Sequence, residues 1–152
     1  MVDTCRNASL SSADSIATPA MTQPTVLDDL PFPERFDTEE ALEDYLATPS
    51  RDLVRDLARV EGDLIILGVG GKMGPSLARL ARNAMPDRRV IAVARFNEPG
   101  LRDDLERHGV ETIACDLLDA EALEKLPKCA NVIFMAMGKY QTGDIIDPLA
   151  QV

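Results

Sequence analysis

Residues 64–74 read LIILGVGGKMG, and the reading of the whole fold grows out of that stretch. Leu64-Ile65-Ile66-Leu67 is a short apolar run bounded by Gly62 and Gly68, the pattern of a strand buried on both faces. Four glycines come next within seven residues: Gly68, Gly70, Gly71 and Gly74. From about Lys72 to Ala84 the period changes, with Met73, Leu77, Leu80, Ala81 and Ala84 on one helical stripe. A strand, a glycine-rich turn and a helix in that order open a βαβ unit.

The alternation continues downstream. Val90-Ile91-Ala92-Val93-Ala94 is a second buried strand. Pro99 opens and Gly109 closes a helix that carries Leu101 and Leu105. Val110–Ala114 forms a third strand, and Asp119 caps a helix with Ala122, Leu123 and Leu126 that Pro127 stops. Val132–Ala136 is a fourth strand. Four such alternations predict an α/β fold: a Rossmann-like, doubly wound parallel sheet with right-handed crossovers and strand order 3-2-1-4. No repeat of the solenoid kind is present. Residues 62–152 therefore form one Rossmann-like domain, incomplete after about four strands. Its fourth strand is left as an apolar edge, which invites self-association.

Two segments precede this domain. Residues 31–61 read as a helical lead-in packed against it. Asp37-Thr38-Glu39-Glu40 offers a capping box ahead of Leu42, Tyr45 and Leu46, and Pro49 ends that helix. Ser50 caps a second helix with Leu53, Val54, Leu57 and Ala58 on one face. Residues 1–30 have neither an apolar period nor the basic start and apolar core of a signal peptide, and read as a disordered tail. Met21, just ahead of the better-patterned sequence, is an alternative start.

Composition bounds the function. The chain has 152 residues, 45% hydrophobic and 28% charged, with a net charge of −10. That balance argues against nucleic acid or an anionic membrane as partner, and no apolar run approaches a membrane-spanning length. Three cysteines and one histidine nearly exclude a Cys/His zinc site and point to a reducing, cytoplasmic setting. The charge is uneven: residues 62–100 carry six bases and three acids inside an otherwise acidic chain. An anionic ligand is expected there.

The glycine turn has the chemistry for one. Side chains must be absent where backbone approaches a pyrophosphate, and the first amides of the next helix point at the ligand along the helix dipole. The spacing departs from GxGxxG, because Met73 stands at the third glycine; it fits GxxGxxG through Gly68, Gly71 and Gly74. Without a ligand it would be a tight βα turn and no more. Lys72 belongs to no P-loop, since GxxxxGK[ST] is absent.

GVGGKMG after LIIL, VIAVARF, ACDLLD and NVIFMAMG together resemble the extended short-chain dehydrogenase/reductases, and within them the NAD-dependent epimerase/dehydratase proteins. The resemblance covers roughly residues 62–143. It implies that Gly68, Gly71 and Gly74 line the pyrophosphate, with Gly70, Lys72 and Met73 in the same turn. It also implies that Asp116 and Leu117 bracket the adenine, and that Ala136, Met137 and Gly138 lie along the nicotinamide side. Asp116 equally suits a purely local role, bonding loop amides. A nucleotide-sugar or small carbonyl substrate is what the resemblance implies for a full-length form.

Cofactor choice rests on the end of the second strand. An NAD site usually places an acid there for the ribose 2′-OH, whereas this chain has Ala94 and Arg95. Arg95 can pair with a 2′-phosphate, so NADP is expected over NAD. No catalytic residue is assigned. The family's Tyr-x-x-x-Lys is absent, since Tyr45 is followed at that spacing by Pro49 and Tyr140 by Asp144. Lys139-Tyr140 reads as a polar loop, His108 as a cation at a helix C-terminus, and Cys115 as a small buried hydrophobe. The expectation is the cofactor-binding part of an epimerase/dehydratase-like oxidoreductase. A stand-alone NADP(H)-sensing module and a non-functional truncated remnant are the alternatives.

Overall fold

A computed structural model describes residues 24–136 of the chain. Its centre is a four-stranded, all-parallel sheet of order β3-β2-β1-β4, made of β1 (Leu64–Leu67), β2 (Val90–Ala94), β3 (Glu111–Ala114) and β4 (Asn131–Phe134). Five α-helices accompany it: α1 (Glu39–Leu46), α2 (Arg51–Leu57), α3 (Gly74–Ala84), α4 (Leu101–Arg107) and α5 (Ala120–Glu124). This is the α/β Rossmann-like arrangement expected from the alternation.

Register divides the sheet into two faces. Leu64 and Ile66 of β1 point to one side with Val90, Ala92 and Ala94 of β2, and pack with Ala78, Ala81 and Met85 of the α3 region, Leu105 of α4, and Val110. Ile65, Ile91 and Val93 point to the other side with Cys115, and meet Leu123 and Leu126 of the α5 region. The small residues of α3 let that helix lie close on the strands. Ile66, Ile91, Val90, Val93, Leu105 and Val110 are each at most 2% exposed. Burying a side chain of that size contributes about 1.5–3 kcal/mol. β2 is buried along its full length, whereas β4 alternates between half-buried and exposed.

Several boundaries differ from expectation. The strands predicted at Val110–Ala114 and Val132–Ala136 pair over Glu111–Ala114 and Asn131–Phe134, since an edge strand pairs on one side only. α3 starts at Gly74 rather than Lys72, so Met73 leaves the buried stripe and is 74% exposed. α4 starts two residues after Pro99, behind Gly100 in the left-handed conformation. Ser50 and Asp119 cap as expected, but the cap of α1 is Thr38, which accepts the Ala41 amide.

The last seven residues assigned to the tail have a structure. Leu27–Asp29 form a 3-10 turn, Val26 is buried, and the Leu27 amide donates to the Pro49 carbonyl at 2.8 Å. Asp28 accepts the Arg51 amide at 2.7 Å, which holds its carboxyl below the usual range. These bonds tie the segment to the start of α2. The rest of that tail lies outside the described residues.

Candidate functional site

The C-terminal ends of the four strands gather at one edge of the sheet. The Gly68 and Val69 amides donate to the Val93 carbonyl at 2.8 and 3.2 Å, Cys115 to Ala94 at 3.0 Å, and Met135 to Leu67 at 2.8 Å. The chain winds from β1 toward β2 and β3 on one side, and returns to β4 on the other. β1 and β4 therefore flank the point where the winding reverses, which is where ligands of open α/β sheets bind. The turn 68–73 sits there.

Its glycines divide into two kinds. Gly68 has φ +89°, and a Cβ on it would stand 2.5 Å from the Ala136 amide nitrogen. On Gly74 a Cβ would stand 2.1 Å from the Val69 carbonyl oxygen. The fold itself therefore demands glycine at both positions. Gly71 is different: its φ is not positive, and a Cβ there meets nothing within 4 Å among the described residues. Gly70 faces only the Ala94 Cβ, at an ordinary 3.7 Å. The amides of Gly70, Gly71, Lys72 and Met73 find no acceptor among the described residues. No side chain caps α3, and it alone of the five α-helices has no acid in its first turn. Among the described residues, the N-terminus of α3 thus presents amides without acceptors and no negative side chain of its own.

The positive charge of residues 62–100 is mostly committed elsewhere. Arg79 pairs with Glu43 and Asp44, Arg82 with backbone carbonyls, Arg88 with the Leu57 carbonyl, and Arg89 with Asp63 and Glu111. Glu111 also raises the Arg89 guanidinium above its ordinary value, at the opposite end of the sheet from the turn. Lys72 and Arg95 make no ion pair or side-chain hydrogen bond among the described residues, and both are exposed. Both border the glycine turn: Lys72 within it, Arg95 next to the Ala94 that Gly70 faces.

At β3 the Asp116 carboxylate accepts the Leu118 amide at 3.0 Å, so its local role is realised. Leu117 packs into the core on the α5 side. Ala136 abuts Gly68, while Met137, Gly138, Lys139 and Tyr140 lie outside the described residues. His108 caps α4, its Nδ1 2.8 Å from the Asp104 carbonyl oxygen. Cys115 and Cys129 are free thiols, and burial pushes that of Cys129 up. Among the described residues, no three His, Cys, Asp or Glu side chains are placed to hold a metal ion. Nor is any helix long and apolar enough to cross a membrane.

Two features were not legible in the sequence. Phe96 has φ +50°, a conformation that costs an aromatic residue roughly 1–3 kcal/mol. It turns the chain immediately after Arg95 and lays its ring on the core beside Leu101. Arg79 is 4% exposed on α3. A cavity of about 450 Å³ beside it is lined by acids of α1 with Asp104, Arg107 and His108. A second, of about 380 Å³, is apolar and lies between Leu57, Met85 and β4. Neither includes a residue of the glycine turn. Compared with protein-family models, curated proteins and solved structures, the chain matches none.

Proposed function

We propose that this chain is the NAD(P)-binding part of an oxidoreductase similar to the epimerase/dehydratase proteins, with NADP favoured over NAD. The observation that carries the reading is Gly71, a glycine that neither its backbone angle nor any neighbour requires. It lies among amides that find no acceptor among the described residues, at the mouth of a helix with no acid in its first turn. A pyrophosphate over residues 70–73 accounts for all three features. Arg95 takes the 2′-phosphate with Lys72 nearby, the adenine lies toward Asp116 and Leu117, and the nicotinamide lies toward Ala136, Met137 and Gly138. The cofactor supplies hydride chemistry when bound; the protein residues supply its seat and orientation.

The free thiols of Cys115 and Cys129 suit a reducing cytoplasmic setting. Val132 and Phe134, 58% and 68% exposed on β4, suit self-association along that edge. A second reading is a binding module that senses NADP(H) without turnover. Calorimetric titration with NADPH and NADH tests the shared claim. NADPH bound more tightly than NADH supports it, and no binding of either refutes it. A parallel assay with nucleotide sugars and small carbonyls separates the enzyme from the module.

A further inference from the structure

α1 is amphipathic, yet its polar side faces the domain. Glu43 and Asp44 pair with the buried Arg79 of α3, and Ala47, 1% exposed, accepts the Asn83 side-chain amide at 2.9 Å. Leu42, Tyr45 and Leu46 fall on the opposite side of the helix, since i, i+3 and i+4 share a face. Leu42 is 37% and Leu46 52% exposed. The preceding segment adds to this surface. Phe36 lies 5.3 Å and Phe32 6.4 Å from the Tyr45 ring, and Phe32 is 86% exposed. Two phenylalanines, a tyrosine and two leucines thus form one outward apolar platform, independent of the glycine turn.

Its rim is acidic. Residues 28–46 hold eight carboxylates and a single base, Arg35, which is already paired with Asp37 at 3.1 Å. Glu34 and Glu39 border it without a cationic partner among the described residues, whereas Glu40, four residues before Asp44, lies on the side that faces Arg79. Contiguous exposed apolar surface with a polar rim marks an interaction site, and the sign of the rim selects the partner. A second copy would set this acidic rim against itself, and an anionic lipid surface would be repelled. We infer that the platform docks a segment of another protein, an amphipathic helix whose apolar stripe is flanked by lysine or arginine. Its apolar side would cover Phe32, Leu42 and Leu46 while its bases reach Glu34 and Glu39.

The test uses the full chain and two fluorescein-labelled synthetic helices of about 18 residues, roughly five turns. One is patterned from leucine and lysine, the other from leucine and glutamate. The leucine–lysine peptide is expected to bind saturably at one per chain, and the leucine–glutamate peptide not to bind. Phe32→Glu and Leu46→Glu add negative charge yet should each weaken binding about tenfold, because the apolar contact is lost. Lys128→Glu, an equal or larger charge change outside the platform, should leave affinity within about twofold. Circular dichroism checks that each variant keeps its helix content. Unchanged or tighter binding by the platform variants would reduce the effect to bulk charge and overturn the inference. So would failure of the leucine–lysine peptide to bind. Sedimentation showing a dimer that either platform variant dissociates would identify a second copy as the occupant instead.

Discussion

Gly68 and Ala136 are in backbone contact: a Cβ on Gly68 would stand 2.5 Å from the Ala136 amide nitrogen. The turn after β1 is thereby locked against the chain leaving β4. Gly68→Ala meets both that contact and a φ of +89°, and should destabilise the chain by about 2–4 kcal/mol. Gly71→Ala meets neither, and should leave stability within about 1 kcal/mol, on either side. Urea unfolding of the two variants measures the difference.

Arg79 binds α1 to α3. Asp44→Ala removes one of its two carboxylate partners and leaves a 4%-exposed guanidinium short of an acceptor. The expected loss is about 1–3 kcal/mol, the cost of a buried polar group left unsatisfied. Arg79→Met removes the charge with its partners still in water, and should cost less than the double variant Glu43→Gln/Asp44→Asn. Wild-type stability of all three by thermal unfolding would mean that these ion pairs do not hold α1.

The acid limb of stability has a named contributor. Glu106 accepts from the Thr112 hydroxyl and from Arg102, and the first of these is the larger cause holding its carboxyl below the ordinary value near 4.5. A carboxylate depressed in the folded state stabilises above its unfolded pKa, and that contribution fades as pH falls through the folded one. Melting temperature should therefore drop as pH falls below the ordinary glutamate value, and drop less steeply in Thr112→Val. An identical slope in the variant would remove Glu106 from the account.

How far the sequence alone reveals these features depends on whether the cause is local. Leu64–Leu67 and Val90–Ala94 are strands at the predicted limits because each is an unbroken apolar run buried on both sides. Ser50 and Asp119 cap helices because a cap bonds an amide two or three residues away. The outward face of Leu42 and Leu46 could not be read, because periodicity tells which residues share a face and not where that face points. Here Arg79, on a different helix, decides it. In the site, the glycine count was legible, but the division into Gly68 and Gly74, which the fold requires, and Gly71, which it does not, depends on neighbours in space. That Lys72 and Arg95 are left uncommitted among the described cations of residues 62–100 is likewise a fact of distant pairings.

Cofactor choice is expected to lie with Arg95, the exposed base beyond β2. Arg95→Ala should weaken NADPH binding by about 1.5–3 kcal/mol, the range for a hydrogen bond to a charged group, and leave NADH nearly unchanged. A wild-type preference for NADH in the same titrations would remove this role.

Gly71 is proposed to be glycine so that a pyrophosphate can approach the turn. NADPH affinity, by calorimetry, of the wild type against Gly71→Val, with circular dichroism and urea unfolding on both, tests this. A valine there meets open space among the described residues, so the fold should survive, while its branched side chain occupies the ground proposed for the phosphates. Native-like unfolding with NADPH binding reduced at least about tenfold is expected. Native-like unfolding with equal NADPH affinity, or no NADPH binding by either protein, would contradict it.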